Sequence, residues 1–160
     1  MSEWSDLFVA TAGAAAALTG LIFVGVSINL TKILAAKNLP VRALLSLILL
    51  VTILILSIIF LIPKQSFESL GIEIIIVGIL VWTAISLMDY NVLRKIDKKY
   101  KKQQVYSTLL DQVAILPYLI GGILILSTGE AGTYWIVVAF IFSFLKAVID
   151  AWVLLVEIHR

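Results

Sequence analysis

The 160-residue sequence contains no cysteine and one histidine, His159, and these shortages exclude several classes of function. Without thiols the chain cannot form a disulfide, a thiolate zinc site or an iron–sulfur cluster. The single histidine is residue 159 of 160, so we do not expect catalysis by a Ser-His or Cys-His nucleophilic pair. We therefore predict no metal site, no cofactor and no enzymatic activity.

Charged residues are also scarce. They make up 14% of the chain, whereas 62% of its residues are hydrophobic and the mean hydropathy is +1.12. A typical soluble domain carries about 25% charged residues. The composition therefore predicts a polytopic membrane protein, with no soluble domain that would present basic residues to nucleic acid.

Long apolar runs are what the sequence has in abundance. A helix needs about 20 mostly apolar residues to cross a bilayer, and five such runs predict an all-α transmembrane bundle with a single domain over residues 1–160. The second run is rich in Leu and Ile and is expected to face mainly lipid. The expected spans are residues 7–30, 41–62, 70–88, 109–127 and 134–158.

Connections that are rich in lysine and arginine alternate with connections that are not. The first and third connections are basic, and the others are not. Short basic loops stay in the cytoplasm, so we predict the N-terminus outside and the C-terminus inside. The third connection, residues 91–107, is expected to prolong the third helix along the membrane surface. Its cations either bind anionic lipid headgroups or only set the topology. These cations are Arg94, Lys95, Lys98, Lys99, Lys101 and Lys102.

The first span is rich in small residues, which let two helix backbones approach closely in lipid. One interpretation makes this helix the packing centre of the bundle. The other makes it the lining of a narrow path, solvent-filled or facing another subunit. The packing candidates are Ala12, Gly13, Ala16 and Gly20. The polar contacts of such a path would be Thr19, Ser27 and Asn29.

The stretch from Trp4 to Leu30 reads WSDLFVATAGAAAALTGLIFVGVSINL. It resembles small, uncharacterised multi-pass membrane proteins of bacteria. The resemblance implies a multi-pass protein of a prokaryotic plasma membrane, the cell inner membrane. It implies no activity, no substrate and no functional residue.

Isolated acids occur in the middle spans. Glu73 lies about one turn inside the third span and either reaches the interface or belongs to an entrance, whereas Asp89 is expected to cap the inner end. In the fourth span, Asp111 and Tyr118 share one helix face, and Pro117 removes a backbone hydrogen bond beside them. That region is either a gate with an inner-leaflet carboxylate or an irregularity of packing.

The last span carries the strongest candidate site, a polar stripe within about 60° around the helix. The stripe consists of Ser143, Lys146, Asp150 and Glu157. A charge at the centre of a membrane span costs roughly 2.5–3.5 kcal/mol, so the stripe is expected to face the bundle, another subunit or water. Either Lys146 and Asp150 form a structural ion pair, or the stripe lines a path together with Asp111 and Tyr118.

These features favour a homo-oligomeric channel or transporter for ions, protons or a small polar solute, because five helices make a thin bundle and several copies enclose a pore more easily. One alternative is a non-transporting module that binds a partner protein or anionic lipid. The other is an intramembrane lipid-modifying enzyme with Glu73, Asp111 or Asp150 in acid–base roles, which no nucleophile or phosphate loop accompanies. The expected partners are membrane lipids, further copies of the chain, and an ion or small solute.

Overall fold

The computed structural model describes residues 4–35, 39–96, 98 and 100–158, and these residues are almost entirely helical. The helices are α1 (Ser5–Ile28), α2 (Leu30–Ala35), α3 (Leu39–Phe60), α4 (Phe67–Lys95), α5 (Lys101–Thr128) and α6 (Thr133–Ile158). A 3₁₀ turn, Gly129–Gly132, separates α5 from α6. The described ranges contain no strand, so the predicted all-α class is confirmed there.

Four helical stretches among the described residues are long and apolar enough to cross a membrane. They are Ser5–Ile28, Leu39–Phe60, Phe67–Lys95 and Lys101–Val156. The last stretch is 56 residues long and includes the 3₁₀ turn between α5 and α6. The predicted membrane protein is confirmed at this level, whereas a fifth span and the orientation stay predictions.

The chain comprises two compact units. The first unit contains residues 1–63 and 144–160, and the second contains residues 64–143. Helix α6 contributes its first part, residues 133–143, to the second unit and its remainder to the first.

In the first unit, α1 and α3 run antiparallel and contact each other through aromatic and hydroxyl side chains. The rings of Phe8 and Phe60 stack with centroids 4.1 Å apart and an interplanar angle of 14°. One turn further along α1, the hydroxyl oxygens of Thr11 and Ser57 are 2.9 Å apart. Because Thr11 already donates to the carbonyl of Phe8, Ser57 is the donor to Thr11.

The burial of these two helices reverses the sequence-based expectation. Over its most apolar window, α3 is 56% buried, whereas α1 is 11% buried. Only Phe8 and Ala15 are buried in α1. The prediction that the second span faces mainly lipid is therefore wrong, as is a central position for α1 within the described chain. Leucine and isoleucine suit lipid tails and protein interiors equally, so composition does not distinguish the two environments.

In the second unit, α4 and α5 form an antiparallel hairpin whose close approach depends on glycine. A Cβ atom added at Gly71 would lie 2.7 Å from Leu126 Cγ, and one added at Gly122 would lie 2.7 Å from Ile75 Cγ1. Glycine at these two positions therefore lets the two helices pack closely. At the end of α5, Gly129 adopts a φ of +67°, which glycine tolerates without a steric penalty.

The basic connection does not continue α4 as a surface helix. Helix α4 extends past the predicted limit to Lys95, but Ile96 adopts an extended conformation with φ −82° and ψ 143°. A new helix then begins at Lys101. The helical spacing of Val92, Ile96 and Tyr100 in the sequence therefore predicts too long a helix.

Candidate functional site

Among the described residues, four aspartate and lysine side chains lie buried in helices that can span a membrane. The exposed fraction is 0% for Asp111, 1% for Asp89, 2% for Asp150 and 3% for Lys146. Asp89 and Asp111 belong to the second unit, and Lys146 and Asp150 belong to the first. Ionisable groups at such positions are costly and are by default candidates for function.

Lys146 and Asp150 form an ion pair on α6. The ammonium group of Lys146 donates a hydrogen bond to Asp150 Oδ2 across one helical turn. In this position each charge offsets part of the desolvation penalty of the other. The pair that the spacing suggests is therefore present.

Ser143 connects two other polar groups in the second unit. Its hydroxyl lies 2.9 Å from the hydroxyl of Tyr118 and 3.4 Å from the carbonyl oxygen of Ala114. A carbonyl can only accept, so Ser143 donates to Ala114 and Tyr118 donates to Ser143. The result is a directed chain of two hydrogen bonds, with the Tyr118 ring also lying against Phe140 at 6.1 Å between centroids.

This hydrogen-bond chain lies next to the proline of α5. Pro117 has no backbone N–H and therefore leaves the carbonyl of Val113, four residues earlier, without its usual helical partner. Ser143 donates to the adjacent carbonyl, that of Ala114, and so joins α6 to α5 in the turn before the proline. This contact favours the packing interpretation of that region.

The predicted polar stripe is buried as far as its side chains are described. Ser143, Lys146 and Asp150 all lie on the buried face of α6, which also contains Ala139 and Leu154. The fourth member, Glu157, belongs to α6, but its side chain lies outside the described residues.

The polar residues of α1 bond mainly to their own helix. Thr19 donates to the carbonyl of Ala15 at 2.7 Å, and the amide of Asn29 donates to the carbonyl of Gly25 at 3.1 Å. Ser27 is exposed. These bonds satisfy Thr19 and Asn29 without water, so neither side chain requires a solvent-filled path.

The small face of α1 is open in the described chain. Ala12 is half-buried, whereas Gly13, Ala16 and Gly20 are exposed. A Cβ atom added at Gly13 or Gly20 would meet no described atom within 4 Å. Helix packing at these four positions therefore stays a prediction, and its partner would have to come from outside the described residues.

The acids of α4 differ from each other in their surroundings. Glu73 is half-buried and accepts a hydrogen bond from the amide of Gln65 at 2.6 Å, which suits a residue that reaches the interface. Asp89 is fully buried and lies six residues before the end of α4 at Lys95. The prediction that Asp89 caps a helix end is therefore wrong, because the helix continues past it into the basic connection.

Sequence reasoning missed a polar network between α4 and α5. The indole N–H of Trp82 donates to Gln112 Oε1 at 2.8 Å, and the amide nitrogen of Gln112 donates to Ser86 at 3.3 Å. The presence of glutamine in an apolar run is the signal that could have suggested a partner on another helix.

Two grooves in the first unit are lined by apolar side chains of α1 and α6, one of them also by Leu50 of α3. Their volumes are about 140 and 190 Å³. Neither Lys146 nor Asp150 lines either groove, so the ion pair does not open into them. The first groove is lined by Leu21, Ile22, Gly25, Ala151, Leu154 and Leu155.

The basic residues between α4 and α5 lie at the surface. The guanidinium carbon of Arg94 lies 5.7 Å from the centroid of the Tyr90 ring. Lys99 falls outside the described residues. The exposed cations are Arg94, Lys95, Lys98, Lys101 and Lys102.

The fold and these buried groups define a helical membrane protein with ionisable side chains inside its apolar helices. No protein-family model, no curated protein and no solved structure matches the chain. The bacterial resemblance of residues 4–30 therefore stays a prediction, as does a prokaryotic plasma membrane.

Proposed function

We propose that this protein is a homo-oligomeric membrane transporter or channel that moves protons or small cations. The observation that carries the proposal is the burial of Asp89, Asp111, Lys146 and Asp150 in helical stretches that are long and apolar enough to cross a membrane.

Buried carboxyl groups favour an exchangeable positive charge. A carboxylate in a medium of low dielectric constant is very costly unless it is protonated or paired with a cation. Where the positive charge is a proton or a small cation, the carboxyl group can bind and release it, and intramembrane carboxyl groups mark such pathways in pumps and transporters. This argument narrows the predicted solute to a proton or a small cation.

We infer five membrane crossings with the N-terminus outside. Helices α5 and α6 contain 28 and 26 residues. At 1.5 Å per residue each is about 40 Å long, and either alone exceeds the roughly 30 Å of a hydrocarbon core. A single crossing by both would be far too long, and the 3₁₀ turn with Gly129 supports a reversal between them.

Single-cysteine labelling tests this topology, because the chain has no cysteine of its own. Thr31→Cys, Glu68→Cys, Gln103→Cys and Ala131→Cys all introduce a thiol at an exposed position. In intact cells, a membrane-impermeant maleimide should label the cysteines at positions 68 and 131. It should label those at positions 31 and 103 only after permeabilisation. Protection of position 131 under both conditions would contradict the fifth crossing.

We further infer that copies of the chain meet at the open face of α1. Its exposed small residues recur at a spacing of four, which is the spacing that membrane helices use for close packing. Three such pairs are Ala10 with Ala14, Gly13 with Ala17, and Ala16 with Gly20.

Disulfide cross-linking tests the oligomer. Ala17→Cys places a thiol on the open face of α1, and Ile79→Cys places one on an exposed position of α4. Mild oxidation in native membranes should yield a covalent dimer for Ala17→Cys and little or none for Ile79→Cys. Equal yields, or none for Ala17→Cys, would remove α1 as the interface.

Flux measurements test the proposed activity directly. Purified protein in liposomes should dissipate a pH or cation gradient, reported by an entrapped dye. Asp111→Asn should slow the flux because an amide neither binds a proton nor carries a negative charge. Asp6→Asn makes the same chemical change at an exposed position and serves as the matched control.

A double variant separates transport from folding. Lys146→Met with Asp150→Leu removes both charges of the pair at once, so neither member of the pair stays buried without the other, and this variant is expected to fold. Loss of flux in the folded double variant would give the pair a role in transport. Absence of flux in folded wild-type protein under every gradient would overturn the proposed function.

The second candidate function is a non-transporting membrane module that binds another membrane protein. The observation that favours it is the open face of α1. Cross-linking of Ala17→Cys to a different protein in native membranes, together with no flux in liposomes, would support this alternative.

A further inference from the structure

We infer that the surface formed by the end of α4 and the start of α5 binds the headgroups of anionic phospholipids. This basic surface comprises Arg94, Lys95, Lys98, Lys101 and Lys102. The inference goes beyond the proposed transport and does not depend on it. The sequence from 94 to 102 holds six cations and one acid, so its formal charge is strongly positive.

The position of the basic surface along the helices places it at a membrane interface. The stretch Phe67–Lys95 ends at this surface and the stretch Lys101–Val156 begins at it, and both are long and apolar enough to cross a bilayer. The connection between them therefore lies where the apolar helices leave the hydrocarbon, whichever side of the membrane that is. Phosphate groups of lipids occupy the same level.

Tyrosine side chains mark the same level on both helices. Tyr90 precedes the end of α4 by five residues and Tyr106 follows the start of α5 by five, so each lies about 7.5 Å along its helix from the charged end. Both are exposed, by 57% and 62%. Tyrosine is enriched at the headgroup level of bilayers, where its ring contacts acyl chains and its hydroxyl contacts water.

The start of α5 adds a further preference for anions. Its first turn contains Lys101 and Lys102 and no acidic residue, and the side chain of Tyr100 does not cap it. The N-terminal end of a helix already carries partial positive charge, so cations there repel it and an anion stabilises it. The other end of the hairpin differs, since the first turn of α4 contains Glu68 and the 3₁₀ turn after α5 contains Glu130. The charge asymmetry favours anionic lipid at the basic end alone.

Lipid binding to the purified protein in neutral detergent tests the inference. Phosphatidylglycerol and phosphatidylcholine are added separately, and bound lipid is counted by native mass spectrometry while the melting temperature is recorded. Phosphatidylglycerol should bind more tightly and raise the melting temperature more. High salt should reduce its binding, because the Debye length falls from about 10 Å at 0.1 M to about 3 Å at 1 M.

Charge variants locate the site. Lys98→Gln, Lys101→Gln and Lys102→Gln together should lower the affinity for phosphatidylglycerol by about tenfold or more, because each cation near an anionic surface contributes substantially. The matched control removes three cations elsewhere, with Lys32→Gln, Arg42→Gln and Lys64→Gln, and should leave the affinity near that of wild type. Detergent micelles remove any effect of these changes on membrane orientation.

Three results would overturn the inference. They are equal binding of the two lipids, equal affinity of the basic-surface variant and wild type, and a rise in melting temperature with inorganic phosphate that matches the rise with phosphatidylglycerol. The last result would indicate a site for free phosphate. If the triple variant does not fold, the salt dependence of lipid binding by wild-type protein still decides the question.

Discussion

The ammonium group of Lys146 donates a hydrogen bond to the carboxylate of Asp150, one turn further along α6, and both side chains are almost completely buried. Each residue lies on the buried face of a helix whose other faces carry exposed apolar residues. The ion pair is therefore formed between two residues of the same helix.

Breaking the ion pair on one side should destabilise the protein. Lys146→Met leaves the Asp150 carboxylate buried, and we expect it to lower the free energy of unfolding by about 3–5 kcal/mol. Lys146→Met combined with Asp150→Leu should lose much less. Reversible unfolding in mixed micelles measures both, and a double variant as unstable as the single one would show that the two charges do not compensate each other.

The hydrogen bond between α1 and α3 should appear as a coupling energy. A double-mutant cycle with Thr11→Ala and Ser57→Ala is expected to give about 0.6 kcal/mol, the average for such bonds in a membrane protein. Thr19→Ala combined with Ser57→Ala is the control, because Thr19 bonds to its own helix. A coupling as large in the control cycle would contradict the assignment.

The chain of hydrogen bonds at Ser143 predicts an order of stability. Tyr118→Phe removes one bond and keeps the ring, whereas Ser143→Ala removes two bonds, so Ser143→Ala should be the more destabilising variant. Each bond is expected to contribute about 0.6–1.7 kcal/mol. Tyr106→Phe, at an exposed tyrosine, should have no measurable effect on the unfolding curve. The opposite order for Ser143 and Tyr118 would show that the serine is not the central group.

Two glycines should respond oppositely to alanine. In Gly132→Ala the new methyl group would clash with the backbone nitrogen of Ile125 and would lie 2.8 Å from the carbonyl oxygen of Gly121. Such overpacking typically costs about 1–3 kcal/mol. In Gly25→Ala the methyl group meets no atom within 4 Å, and the higher helix propensity of alanine should leave stability equal or slightly higher. Thermal unfolding in detergent compares them, and equal melting temperatures would disprove the tight contact at Gly132.

The limits of prediction from sequence are clearest for α1 and α3, two apolar helices with different surroundings. The run of Leu and Ile in α3 predicts a lipid-facing helix, and the small residues of α1 predict a central one, yet α3 is the more buried. Lipid tails and protein interiors are both apolar, so transfer between them provides little driving force. Which apolar helix is buried therefore depends on packing between residues far apart in the chain.

In the candidate site, contacts within one helix could be predicted from the sequence, whereas contacts between helices could not. The spacing of Lys146 and Asp150 within one helix makes their contact predictable, because residues four apart lie on the same face. The contacts of Ser143 with Tyr118, and of Trp82 with Gln112, join separate helices and have no such signature. The burial of Asp89 was also missed, because it depends on how far α4 continues before Ile96.

By itself, the sequence determined that this is a helical membrane protein whose last helix carries a polar stripe. The reason is that a hydrocarbon solvent requires long apolar runs, backbone groups bonded within each helix, and charges turned away from lipid. Only the tertiary structure decided which helices are buried, where α4 ends, and which hydroxyl groups meet across α1 and α3 or across α5 and α6. Those outcomes depend on the approach of side chains from distant positions, which local composition and periodicity do not encode.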